Sequence, residues 1–131
     1  MRRKWHILVV SQDIGARMLA TITFKRRSDH AEIVTSRDEA MPLIAQKLPD
    51  LIMIGLHLSD ESGISLASDL RALHPQIPML FIPSPTSHSL VSEKDILAAD
   101  QLGIHILGRY RYEVMGGHNF NMALHKLLEH D

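Results

Sequence analysis

Acidic side chains and histidines are the groups in this 131-residue chain whose types could carry chemistry. The chain has nine histidines and no cysteine, so disulfides, thiolate catalysis and cysteine–metal sites are excluded. Asp13 and Asp60 each follow shortly after an apolar run. An isolated carboxylate is a poor magnesium site, because Mg²⁺ prefers several oxygen ligands. The sequence favours a helix cap for Asp13, and an exposed turn or a helix cap for Asp60.

A second candidate set lies near the C-terminus, where His118, Met122 and His125 are spaced i, i+4 and i+7. That spacing places three possible ligands on one helical face, and a thioether ligand suits copper better than zinc. Scattered surface histidines explain the same pattern, so we expect no metal and no cofactor. No pair of nucleophile and base is visible, and the sequence does not indicate an enzyme.

Composition and charge narrow the class of protein. Hydrophobic residues make up 45% and charged residues 22% of the chain, values typical of a globular domain. The formal net charge of −1 gives no argument for binding nucleic acid or an acidic membrane surface. The apolar run WHILVV is too short for a secretory signal or a membrane span. We therefore expect a cytoplasmic domain that contacts neither nucleic acid nor membrane.

Short apolar runs alternate with longer amphipathic stretches, a pattern that predicts a parallel sheet with helices on both faces. The runs are Trp5–Val10, Glu32–Thr35, Leu51–Leu56, Met79–Ile82 and Ile104–Leu107. In such sheets, ligands bind beyond the carboxyl ends of the strands. A site should therefore involve residues within 11–15, 55–63, 83–89 and 108–116.

Apolar residues at helical spacing predict a helix after each strand. The first helix carries Ile14, Met18, Leu19 and Ile22 on one face, and the third carries Leu66, Ala67, Leu70 and Leu73. The second begins after the cap Ser36, contains Pro42, and turns Ala40, Ile44 and Leu48 inward. The fourth is expected over 89–102, and the fifth carries Phe120, Ala123, Leu124, Leu127 and Leu128.

The segment PDLIMIGLHLSDESG, residues 49–63, together with ILVV near the start, resembles the receiver domain of bacterial response regulators. Gly63 follows Gly55 by eight residues, as the family glycine follows its phospho-acceptor. The resemblance spans nearly the whole chain. It implies a flavodoxin-like (βα)5 three-layer sandwich with a central five-stranded parallel sheet. It also implies one receiver-like domain over 1–131, and leaves open that this is the N-terminal part of a longer protein.

The family's reactive groups are replaced at the matching positions of this chain. The acidic magnesium-binding pair corresponds to Ser11 and Gln12, the phospho-acceptor to Gly55, the hydroxyl residue to Pro83, the lysine to Tyr110 and the aromatic switch to Leu107. The resemblance therefore implies a degenerate receiver without the usual magnesium site or acyl-phosphate. A glycine at a strand end is also typical of an unusual backbone angle or a close approach.

Two segments are candidates for contact with a partner. About five residues are inserted between Pro83 and Gly103 relative to the family pattern, and loop insertions often carry function. The segment RYRYEVM holds Arg109, Arg111 and Tyr112, residue types that are enriched in interface cores. Packing of the tyrosines over the sheet edge beside solvated arginines explains that cluster equally well. By resemblance, the fourth helix, fifth strand and fifth helix would contact a signalling protein, an output domain or a second copy.

The leading hypothesis is a signalling module that recognises a protein partner without being phosphorylated. A second hypothesis is an atypical receiver that still binds a phosphoryl group through Asp60 or Asp13. A third is a flavodoxin-like domain that binds a small ligand in the pocket vacated by the missing carboxylates.

Overall fold

The computed structural model describes residues 4–58, 60–83, 91–107 and 118–128. Strands and helices alternate along the chain as predicted. In order they are β1 His6–Val10, α1 Ile14–Arg27, β2 His30–Val34, α2 Arg37–Gln46, β3 Leu51–Gly55, α3 Gly63–Leu73, β4 Met79–Ile82, α4 Glu93–Leu102, β5 His105–Ile106 and α5 His118–Leu128. The predicted strands shift by at most a few residues at their ends, and α4 starts later than predicted because Ser92 caps it.

The strands form one parallel sheet in the order β2-β1-β3-β4-β5. This is the flavodoxin-like strand order, so the predicted fold class is confirmed. The order reverses between β1 and β3, since the chain moves from β1 to one side for β2 and then to the other side for β3. A crevice for ligands is expected outside the carboxyl ends of these two strands.

Two apolar cores sandwich the sheet. On one face, Leu8 and Val10 pack with side chains from α2, α3 and α4. On the other face, Ile7 and Val9 pack with side chains from α1 and α5. Strands β1, β3 and β4 are buried throughout, as their near-continuous apolar sequences predicted. Burial of each Leu or Ile contributes about 1.5–3 kcal/mol, which makes these central strands the main source of stability.

Helix α1 faces the sheet with a different set of residues from the predicted one. Ile14, Met18 and Ile22 share a face, but they are 70%, 61% and 47% exposed. The buried residues are Ala16, Ala20, Thr23 and Phe24. Both sets recur at helical spacing, and the small alanines let the helix lie close to the sheet. The prediction was wrong for these three bulky residues. Leu19, the fourth residue of the predicted face, does pack against the core.

Two predicted core leucines are also exposed. Leu48 was expected to turn inward with α2, but that helix ends at Gln46, so the helical period no longer sets the direction of Leu48. Leu73 is the last residue of α3 and is exposed. Pro42 lies inside α2 as predicted.

In the described part of the chain, no helix is both long enough and apolar enough to cross a bilayer.

Candidate functional site

The expected crevice lies at the carboxyl ends of β1 and β3, next to Ser11 and Gly55. Ser11 is buried, its backbone N–H donates to the Val34 carbonyl at 2.9 Å, and its hydroxyl accepts from the Asp13 backbone N–H at 3.2 Å. Gln12 follows Ser11 and is half-buried. The sheet therefore brings Ser11, Gln12 and Gly55 to one edge.

Pro83 reaches the same edge from the neighbouring strand. Gly55 pairs with Ile82, the last residue of β4, and Pro83 follows directly. The remaining position predicted for this pocket, Tyr110, lies outside the described residues. So do the predicted interface residues Arg109, Arg111 and Tyr112 and most of the inserted loop.

Nothing in the local backbone requires glycine at position 55. Among the described glycines only Gly103, the cap of α4, has a positive φ. A Cβ built on Gly55 would lie 3.5 Å from the Val10 carbonyl oxygen and 3.6 Å from both Leu58 Cδ2 and the Ser11 hydroxyl. These are ordinary contacts. The interpretation of Gly55 as a special backbone angle is therefore wrong.

The close approach that does require a glycine is at Gly63. A Cβ on Gly63 would lie 1.9 Å from the Gly55 carbonyl oxygen and 2.9 Å from its carbonyl carbon. The Gly63 N–H donates to the Leu56 carbonyl at 2.8 Å, which holds the start of α3 against the end of β3. The spacing of these two glycines therefore has a packing cause, and it is the second glycine that cannot carry a side chain.

The groups at this edge do not fit the magnesium ion that the family pattern implies. The Asp13 carboxylate accepts from the Ala16 N–H at 2.8 Å and caps α1, which confirms the predicted cap. Asp60 is exposed in the loop, and Ser62 rather than Asp60 caps α3. Leu58 is buried next to Gly55. Among the described residues, no three His, Asp or Glu side chains converge here within ligating distance of one another.

Arg37 fastens the loop between β3 and α3 to two helices. Its guanidinium donates to both carboxylate oxygens of Glu61, at 3.0 and 2.6 Å, and to Asp69 of α3 at 2.7 Å. The hydrogen bonds to Glu61 and then Asp69 raise the pKa of Arg37, and the bond from Arg37 lowers the pKa of Glu61. The paired side chains are less than one-third exposed, apart from that of Asp69.

Two further contacts position the same edge. His57 Nε2 lies 3.7 Å from an Asp95 carboxylate oxygen, which links the loop to the first turn of α4. At the end of β2, the Glu39 carboxylate accepts from the hydroxyl and the backbone N–H of Thr35. These hydrogen bonds lower the pKa of Glu39, with the hydroxyl having the larger effect. β2 therefore ends at Val34, one residue earlier than predicted.

The comparisons with known proteins agree with this geometry. No family model matches the chain. A signal receiver domain of an HD domain-containing protein from Pseudomonas fluorescens Pf-5 superposes with a TM-score of 0.78, covering 98% of this chain and 97% of that one at 18% identity. A CheY-like response regulator receiver domain protein from Methanospirillum hungatei JF-1 gives a TM-score of 0.77 at 17% identity, covering 97% and 96%. The fold is that of a receiver domain.

Sequence matches between this chain and curated regulatory proteins are weak and cover only part of the chain. The transcriptional regulatory protein ZraR of Salmonella typhimurium is 24% identical over 87 residues, which is 66% of this chain and 20% of ZraR. The regulatory protein LuxO of Vibrio vulnificus is 30% identical over 59 residues, 45% of this chain and 12% of LuxO. The chain thus spans about a fifth or less of the curated relatives it matches.

Leu107 is the residue that the sequence comparison predicted in place of the aromatic switch of receivers. It is buried among the side chains that pack with α1 and α5, and its N–H donates to the Phe81 carbonyl at 2.8 Å. An aliphatic side chain held in the core offers no ring to move between an inner and an outer position.

On α5, Met122 and His125 are exposed, and the His118 side chain lies outside the described part.

Proposed function

We propose that this chain is a receiver-like signalling module that acts by protein–protein interaction without phosphorylation. One observation carries the proposal. Where receivers hold an acidic pair and a phospho-acceptor, the crevice of this chain is bordered by a hydroxyl, an amide, a glycine and the Leu58 side chain. None of these groups forms an acyl-phosphate, and together they lack the carboxylates that Mg²⁺ prefers.

The contacts around the crevice also support a module with one conformation. A receiver that responds to phosphorylation needs an element with two arrangements whose balance the phosphoryl group changes. Here the β3–α3 loop is tied to α2 and α3 by Arg37, and Pro83 removes a backbone donor and restricts φ at the end of β4. Both features oppose a local rearrangement.

The partner in this proposal is another protein, either a signalling protein or an output domain of the same chain. The regulatory relatives are several times longer than the matched segment, in keeping with a domain that works beside others. We place the contact, or a homodimer interface, on the face of α4, β5 and α5 and the adjoining residues Arg109, Arg111 and Tyr112. The proposal includes a cytoplasmic domain that binds neither nucleic acid nor membrane and is not an enzyme.

The decisive experiment is a ¹⁵N–¹H correlation spectrum recorded before and after adding Mg²⁺ and beryllofluoride, a mimic of the phosphoryl group. We expect the amide signals of residues 11–15, 55–58 and 60–63 to remain within experimental error. A receiver that carries all its carboxylates, treated in parallel, shows that the reagent is active. Clustered shifts at these residues in our chain would contradict the proposal.

The same spectra also test the competing hypothesis, in which Asp60 or Asp13 binds a phosphoryl group. If shifts occur, the variants Asp13→Asn and Asp60→Asn identify the carboxylate responsible, because only the variant that lacks it loses the response. Asp13→Asn is a conservative test, since asparagine caps helices about as well as aspartate.

A further inference from the structure

Strands β1 and β2 bring three possible metal ligands together at the amino end of the sheet. The parallel register pairs His6 with His30 and Leu8 with Glu32, so these side chains share one face. The ligand atoms of His6, His30 and Glu32 all lie within 4.8 Å of one another. This is the one group of three or more such side chains that converges in the described part of the chain. His6 and His30 lie about 16 Å and Glu32 about 10 Å along the strands from the level of Ser11, at a rise of about 3.3 Å per residue, so the group is separate from the crevice.

Two of the three distances within the group are close to the edges of a small tetrahedral site. His6 Nε2 lies 3.1 Å and His30 Nε2 lies 3.4 Å from the same Glu32 carboxylate oxygen. A tetrahedral zinc ion with bonds of about 2.0–2.1 Å separates neighbouring ligand atoms by about 3.3–3.4 Å. The two rings lie 5.4 Å apart between their centroids and are tilted by 32°, and the His30 ring is exposed.

His6 is an unusual occupant of a buried position. Its side chain is only 9% exposed, and its Nδ1 is buried without a hydrogen-bond partner. A buried imidazole with an unsatisfied nitrogen is less stable at a core position than an aliphatic side chain would be. Nε2, the ring nitrogen that faces Glu32, is the atom that could bind a metal, and Nδ1 stays unpaired whether or not a metal is bound there.

We propose that His6, His30 and Glu32 form a binding site for a divalent transition-metal ion of the zinc type. Two neutral imidazoles and one carboxylate leave one positive charge on the complex and suit Zn²⁺. His30 and Glu32 are partly exposed and His6 is buried, so the site opens to solvent on one side. Its fourth position is left for water or for a side chain of a partner. The metal would bind the edge strand β2 to the central strand β1.

The test measures binding of ZnCl₂ to the full chain by calorimetry and by thermal unfolding. The wild type should bind one Zn²⁺. A free Zn²⁺ concentration of about one hundred times Kd should raise Tm by roughly 8 °C. His30→Ala and Glu32→Gln should each weaken binding at least about 30-fold. His30 is exposed, and glutamine still accepts a hydrogen bond from His6, so both variants should fold.

The matched control is His125→Ala, which removes another exposed histidine and should bind Zn²⁺ as the wild type does. Affinities of all four proteins within threefold of one another would overturn the proposal, because they would mean that zinc binds to scattered histidines. Ring proton signals of His6 and His30 that shift with one equivalent of Zn²⁺ would place the ion directly. This test uses no phosphoryl analogue, so its failure would leave the proposed signalling function untouched.

Discussion

The two ends of the same parallel sheet differ in chemistry. The carboxyl edge, where flavodoxin-like folds place their sites, presents Ser11, Gly55 and the aliphatic Leu58. The amino edge, where such folds seldom place sites, brings together His6, His30 and Glu32. The difference shows that strand order fixes where a crevice lies, while the side chains at strand ends decide whether it can react.

The two edges also differ in how tightly they are fastened. At the carboxyl edge, Gly63 packs against the Gly55 backbone and Arg37 joins Glu61 and Asp69 across three elements. At the amino edge, β2 is the outermost strand, and His6 leaves a buried nitrogen unpaired. Each prediction below tests one side of this contrast.

Gly63→Ala tests the packing of the carboxyl edge and should have the largest effect. Its Cβ would meet a backbone oxygen, so the main chain must shift, and we expect a loss of about 3 kcal/mol in the free energy of unfolding. Gly55→Ala is the matched control and should change stability by less than about 1 kcal/mol. Urea unfolding of both variants measures the difference, and equal losses would remove the distinction between the two glycines.

Arg37→Met tests whether the ion pairs fasten the β3–α3 loop. We expect a loss of about 1 kcal/mol, since the guanidinium contacts Glu61 with two hydrogen bonds in a partly exposed setting. Glu61→Gln and the double variant complete a thermodynamic cycle by denaturant unfolding. A coupling energy near zero would show that the loop is held by packing alone.

Acid pH should weaken the ion pair between Arg37 and Glu61, because protonation removes the charge of Glu61. Its folded-state pKa lies below its ordinary value of 4.5, so the stabilisation is complete above that value and is lost as the pH falls through the folded pKa. Between about pH 5 and pH 3, the wild type should lose more stability than Arg37→Met. The contribution of Glu39, whose pKa is also lowered, is present in both proteins and cancels. Parallel pH curves would contradict the assignment.

His6→Leu tests the amino edge and should have the smallest effect. Without metal, the change removes a buried unpaired nitrogen and should raise stability by about 0.5 kcal/mol, a difference that denaturant unfolding in a chelating buffer can measure. Adding ZnCl₂ should then stabilise the wild type and leave the variant unchanged. A loss above about 1 kcal/mol would show that the His6–Glu32 hydrogen bond is a net stabilising contact.

The strands could be predicted from their sequences, and so could the burial of β1, β3 and β4 on both faces. Buried parallel strands have near-continuous apolar sequences. The inward face of α1 could not be predicted, because Ile14, Met18 and Ile22 recur at the same period as the smaller residues that pack on the sheet. The resemblance to receivers singled out Gly55 and Gly63 by their spacing, but the backbone constraint was assigned to the wrong glycine.

The contacts missed from the sequence are those between residues distant along the chain. Arg37 is 24 positions from Glu61, and the pair depends on how α2 lies beside the β3–α3 loop. The approach of His6 to His30 and Glu32 depends on the register of two parallel strands. One signal was available, since His30 and Glu32 are two residues apart and share a face of any strand that contains both, but the predicted strand began only at Glu32. Parallel register is set by the whole sheet and cannot be read from either strand alone.

The space beside Gly55 for a Cβ atom has a consequence for the evolution and the engineering of this chain. A single base separates some glycine codons from aspartate codons, and this backbone already accepts the first atom of the longer side chain. Acidic residues could therefore be introduced first at position 55 and then at positions 11 and 12. Such a series would measure what each carboxylate contributes to magnesium affinity, starting from a background with none of the three.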